Sequence, residues 1–292
     1  MSVNGTISTL RAGDYESSVA TVGASLLRLT HRGRDLVLPR GEDRVATHYE
    51  GVTLVPWANR ITGGRYAVRG RELRVPVNEP GTGAALHGLG AFQHWVPSEV
   101  GPDRGSWSLD LPPTPGYPFD LTCRVDYVLD AEDGLGVTIT GTNDGAEPAP
   151  FAASTHPYLT CGGPVDGCTV QLPAGRYLQV DDRSVPTALA AASGEHDLRA
   201  PARLGARRLD HAYTDLPEGE WGLRLEHPDG GVELRSTARW VQVYTGDDLG
   251  RAALAVEPMT HEPDAFNRDP DGVLLEPGES RRLELTIRAL RG

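Results

Sequence analysis

Apolar and polar residues alternate with a period of two over residues 25–29, 121–129, 136–140, 169–172 and 283–287. This is the pattern of strands that bury one face. Two further runs, Trp221-Gly-Leu-Arg-Leu-Glu and Val232-Glu-Leu-Arg-Ser, flank His227-Pro-Asp-Gly-Gly. A hairpin is expected there, with Asp229 and Gly230 as its positive-φ turn residues. Trp240-Val-Gln-Val-Tyr244 reads as a continuation of that meander. No window longer than about ten residues holds a helical period, and the Ala-rich residues 187–192 are the best short helix candidate. Gly and Pro are scattered without a repeat and punctuate many short elements. Residues 43–50 and 191–204 read as loops, and Pro112-Pro-Thr-Pro115 as a long loop or a lid. Frequent turn signals without alternating strand and helix patterns predict an all-β fold, a large antiparallel β-sandwich with little helix. No composition break divides the chain, so residues 1–292 are expected to form one domain.

Charge and composition narrow the function. All 28 basic residues are Arg, against 40 acidic ones, for a net charge of −12. The absence of Lys excludes Schiff-base catalysis through Lys and the P-loop Lys. An acidic chain without a basic run has no electrostatic reason to bind nucleic acid or an anionic membrane surface. No apolar run approaches the roughly 18 residues of a membrane span, and residues 1–10 lack the basic and apolar regions of a leader. Cys123, Cys161 and Cys168 form no CxxC pair, so a reducing, cytoplasmic setting is expected.

Among the histidines, His31, His48, His196 and His227 are flanked by polar or turn residues and are expected to be solvated. His87, His156, His211 and His261 lie near loop ends. No HxH or HExxH occurs, so no metal site is expected, and no GxSxG elbow points to a serine nucleophile. Cys161, in Thr160-Cys-Gly-Gly-Pro164, reads as part of a turn. Glu257 ends the apolar run of residues 252–256, and Pro258 holds it extended. A carboxylate in that position is costly unless it forms an ion pair with one of the arginines or takes part in chemistry. Asn59-Arg60 after Pro56-Trp57-Ala58 sets an amide and a guanidinium near an aromatic, a combination found in sugar sites and equally in a surface Arg beside a buried Trp.

In order along the chain, Pro56-Trp-Ala-Asn-Arg-Ile61 with Gly63-Gly64, Leu86-His-Gly88, Thr155-His-Pro-Tyr158, Leu209-Asp-His211, Glu257-Pro258 and Pro263-Asp-Ala-Phe-Asn267 resemble the motif series of the aldose 1-epimerases, or galactose mutarotases. The resemblance implies a β-supersandwich and interconversion of the α and β anomers of a free aldose, with no metal and no other cofactor. By that likeness Glu257 matches the general base and His156 the acid that protonates the ring oxygen. Arg60, His87 and Asp210 match positions that hold the sugar hydroxyls, and Asn59 shares their motif. The implied substrate is a monosaccharide such as glucose or galactose, or a modified hexose, an anionic one needing an Arg beyond Arg60.

The chain departs from the family pattern at Thr155, where Asn is frequent, at Leu89, where a second Gly is common, and in Met259-Thr260 after Glu257-Pro258. These changes bear on substrate identity. Trp57, Trp240 and Phe266 either stack on the sugar or belong to the core. Two alternatives stay open at this stage: a silent sugar-binding module using the same polar groups, and a glycoside hydrolase or lyase of similar shape with Asp210 and Glu257 as paired carboxylates.

Overall fold

The computed structural model describes residues 2–290; Met1, Arg291 and Gly292, which the one-domain expectation also spans, lie outside the described residues. A nine-stranded antiparallel sheet runs in the order Val96–Ser98, Arg104–Leu111, Leu121–Asp130, Gly134–Asn143, Ser280–Leu290, Gly230–Ser236, Trp221–His227, Thr169–Gln171 and Ala202–Arg203. In Leu121–Asp130 every second residue from Leu121 to Leu129 is buried, as the period of two predicts. A second sheet runs Pro186–Ala191, Arg176–Val180, Asp210–Thr214, Trp240–Tyr244, Leu254–Met259, Ser154–Thr155 and Thr53–Leu54, with Tyr158–Leu159 also pairing with Leu254–Met259. The two sheets share one apolar core, to which the first gives Val125, Tyr127, Ile139 and Leu285 and the second Tyr213, Val241, Val243 and Val256. A four-stranded antiparallel sheet, Ile7–Ala12 to Arg34–Asp35, adds Leu10, Val19 and Leu29 to the same core. The one α-helix among the described residues is the single turn Ala265–Arg268. No helix there is long and apolar enough to cross a membrane.

Three local expectations are corrected. Residues 187–192 are not helical: Pro186–Ala191 is an edge strand paired with Arg176–Val180. Alanine tolerates either state, and the open sheet edge supplies the hydrogen bonds that decide, with Pro186 at the strand's first position. In the hairpin His227 pairs with Gly230, so the loop is Pro228-Asp229 and only Gly230 of the expected pair has a positive φ, 134°. Pro228, with φ fixed near −65°, starts the turn one residue early. Trp240–Tyr244 leaves the hairpin's sheet and joins the other one, because alternation specifies a strand and not its neighbour.

Candidate active site

Strand register builds one wall of the site. Leu254–Met259 is buried throughout, with Leu254 and Val256 in the main core and Ala255 and Met259 in smaller clusters on the opposite face. The pleat therefore places Glu257 on the outer face, between Ala255 and Met259. Gln242 is its cross-strand partner, Tyr244 pairs with Ala255, and Asp210 pairs with Tyr244, so Asp210, Gln242, Tyr244 and Glu257 share that face. On the other side of Glu257, Ser154 pairs with Met259 and Tyr158 with Ala255. The link between them carries His156, opposite Glu257, and is pinned by His156 N–H to Val52 O (3.1 Å) and Gly51 N–H to His156 O (2.9 Å).

The facing wall comes from the short pair Arg60–Ile61 and Ala85–Leu86. Asn59 and His87, just outside it, both adopt left-handed backbone, φ 54° and 60°. They lock each other: His87 N–H donates to Asn59 O (2.9 Å), and Asn59 N–H to Nδ1 of His87 (3.2 Å). Such conformations of L residues cost of order 1 kcal/mol or more and persist where the surroundings fix them.

All six residues singled out in the sequence, Asn59, Arg60, His87, His156, Asp210 and Glu257, line one cavity of about 250 Å³. Thr47, His48, Tyr49, Glu79, Leu86, Tyr158, Gln242, Tyr244 and Asp248 complete it. Pro112-Pro-Thr-Pro115 lies elsewhere, on an apolar groove of about 740 Å³ with Val75, Leu89 and Leu109, so it does not cover this cavity. Trp57 and Phe266 are core residues in edge-to-face contact at 6.0 Å, and Trp57 donates to Ala85 O. Met259 is fully buried, and Trp240 packs against Met259's cluster. None of the four lines the cavity, whose aromatic surfaces are Tyr49, Tyr158 and Tyr244. His48, partly exposed, lines the cavity, whereas His196, expected in solvent, is partly buried and stacks on Tyr177 at 4.0 Å.

Glu257 and His156 approach to 3.3 Å (Oε1 to Nε2), with side chains only 3% and 7% exposed. The carboxylate's partner is thus a histidine and not one of the arginines. Tyr158 stacks on the His156 ring, centroids 4.9 Å apart. Burial, helped by the charge of Asp210 and opposed by Arg60, raises the Glu257 carboxyl well above the usual carboxylate range. Burial also lowers His156, to about 3. Asp210 accepts a 2.6 Å hydrogen bond from Gln242; desolvation raises its carboxyl, against the pull of Arg60 and of that hydrogen bond. Burial and the neighbouring His156 and Arg60 keep His87 neutral.

The ligand atoms of His87, His156 and Glu257 lie within 4.8 Å of one another, a spacing able to hold a metal ion. However, the Nδ1 lone pair of His87 already accepts the Asn59 N–H. The neutral ring therefore carries its proton on Nε2, and that nitrogen is a donor suited to a hydroxyl rather than a metal ligand.

The aldose 1-epimerase family model matches residues 6–288. The chain belongs to the aldose 1-epimerase family. It is 40% identical to the uncharacterized protein YihR of Escherichia coli K12, over 98% of this chain and 94% of that one. It is 29% identical to the galactose mutarotase of Homo sapiens, over 79% and 76% of the two chains. Among solved structures, a putative aldose 1-epimerase of Escherichia coli K12 superposes with a TM-score of 0.84 at 25% identity, covering 98% of this chain and 99% of that one. An aldose 1-epimerase fold, an isomerase-type enzyme and a sugar substrate agree with the site's chemistry. Motifs pointed to six of its residues. Glu79, Tyr49 and Gln242 were missed; only Gln242 had a signal, as the polar residue on the outer side of Trp240-Val-Gln-Val-Tyr244.

Proposed function

We propose that this protein interconverts the α and β anomers of a free hexose, with Glu257 as base, His156 as acid and Asn59, Arg60, His87 and Asp210 holding the hydroxyls. The observation that carries the proposal is the buried 3.3 Å pairing of Glu257 with His156 at the bottom of a polar cavity. Glu257 takes the proton of the anomeric hydroxyl while His156 delivers one to the ring oxygen. The bond from C1 to the ring oxygen breaks and an aldehyde forms. Rotation about C1–C2 exposes the other carbonyl face, and closure reverses both proton transfers. Neither a metal nor a nucleotide enters this scheme. The reaction needs one proton on the pair at its start, and burial favours its uncharged arrangement, a protonated carboxyl beside a neutral imidazole, which passes to carboxylate and imidazolium by one transfer. The three cysteines are free, consistent with a reducing, cytoplasmic location for this single domain.

Polarimetry of freshly dissolved α-glucose and α-galactose tests the activity: rates above buffer are expected, and buffer rates across a panel of aldoses contradict it. The pair also sets a pH profile. Above the Glu257 pKa no acid remains, and a second proton, which removes the base, adds only near the depressed value of His156, about 3. Since the Asp210 charge pushes Glu257 up, Asp210→Asn should move the alkaline limb of kcat/KM to lower pH, besides weakening the enzyme. An alkaline limb fixed at its wild-type pH would show that Asp210 does not act on this pair.

A further inference from the structure

We infer that Glu79 is a positioning and specificity residue of this cavity, which turns the Arg60 guanidinium from an anion site into a donor for hydroxyls, so that the enzyme takes an uncharged aldose in preference to one bearing a carboxylate, phosphate or sulfonate. This rests on the sugar reading above. Arg60 Nε donates to Glu79 Oε2 at 2.7 Å and Nη2 to Oε1 at 2.8 Å. The two side chains are only 15% and 24% exposed, so the pair is held in one geometry rather than loosely solvated. With Nε and one N–H of Nη2 occupied, both N–H groups of Nη1 and the second of Nη2 remain free donors.

Glu79 is itself fixed. The Thr82 hydroxyl donates to its Oε2, Gly83 N–H to its carbonyl (2.9 Å), and its own N–H to Ala84 O (3.2 Å). Asn78 closes the same turn by accepting from Leu86 N–H (2.6 Å) and donating to Leu86 O (3.0 Å). This turn leads directly to His87, so the support of Arg60 and the placement of His87 are one piece of backbone. Burial alone would raise the Glu79 carboxyl, but Arg60 and Thr82 hold it below the usual range and keep the clamp ionised. Among the described residues lining the cavity, Arg60 is the one guanidinium, against the carboxyls of Glu79, Asp210 and Asp248. An anionic substituent meets no unpaired guanidinium and a surplus of negative charge. Hydroxyls find donors and acceptors on both walls.

The test compares anomer exchange of galactose with that of galacturonate, followed by NMR at neutral pH. The wild-type enzyme should favour galactose in kcat/KM by at least about tenfold. Glu79→Gln should raise the galactose KM about tenfold, the loss of one charge-assisted hydrogen bond, with a smaller change in kcat and a narrower gap between the sugars. Glu79→Asp, which keeps the charge, should recover part of the loss. If Glu79→Gln does not fold, Thr82→Val should shift KM the same way to a smaller extent. Wild-type turnover of galactose establishes the activity independently. Given that turnover, equal kcat/KM for the two sugars overturns the inference, as does an unchanged KM in Glu79→Gln or, where that variant does not fold, in Thr82→Val.

Discussion

Glu257→Gln and His156→Asn should each lower kcat by at least about 10², since one positioned proton-transfer group contributes roughly 10²–10⁴-fold. The double variant should be little worse than either single one, because an acid without its base has no partner reaction to complete. Stability separates this loss from unfolding. The fold raises the Glu257 carboxyl above its ordinary value of 4.5. Its contribution to stability is therefore fully present below that value and is lost as pH rises through the folded pKa. Glutamine cannot ionise, so Glu257→Gln should melt at or above the wild-type temperature in alkaline buffer, and the difference should shrink at acid pH. A variant that is inactive yet no less stable assigns the loss to chemistry; near-wild-type turnover in either single variant would show the role to be misplaced.

Gly88→Ala should damage both fold and site. Gly88 has φ +76°, and a Cβ there would stand 2.1 Å from the carbonyl oxygen of Val55 and 3.0 Å from that of Trp57. That Val55 oxygen accepts from the N–H groups of Leu89 (2.8 Å) and Gly90 (2.9 Å), so it has no room to retreat without breaking both bonds. Backbone strain and steric displacement together should cost about 2–3 kcal/mol. The shift also reaches His87, one residue earlier, whose lock with Asn59 orients its Nε2 donor. A fall in melting temperature of several degrees with a large rise in KM is expected. Gly33→Ala is a matched control, with the same φ of +76° and nothing within 4 Å of the new Cβ. It should carry only the left-handed strain, about 1–2 kcal/mol, and leave activity intact. Equal behaviour of the two variants would mean that the close approach of Val55 does not matter.

The sandwich was legible because its long strands bury one face each: Leu121–Asp130 and Gly134–Asn143 show their period of two in sequence and in burial alike. What failed was information that a single strand does not hold. Pro186–Ala191 became a strand through its neighbour, and Trp240–Tyr244 carries the correct alternation without any mark of which sheet it joins. The same division runs through the site. Residues within short motifs, such as Asn59 with Arg60 and His156 with Tyr158, could be pointed to in advance. Glu79 reaches Arg60 across nineteen positions through a turn whose Glu-Pro-Gly sequence reads as ordinary loop. Trp57 shows the opposite error, an aromatic beside the motif that packs away from it, while Tyr49 arrives from a loop with no periodicity.

If Glu257 and His156 together open a hemiacetal ring, magnetisation transfer between the α and β anomeric protons of galactose at equilibrium reads that event without net conversion or a coupled enzyme. Exchange should run well above the buffer rate with the wild-type protein, and at the buffer rate with folded Glu257→Gln. Wild-type protein that binds the sugar yet leaves exchange at the buffer rate would refute ring opening by this pair.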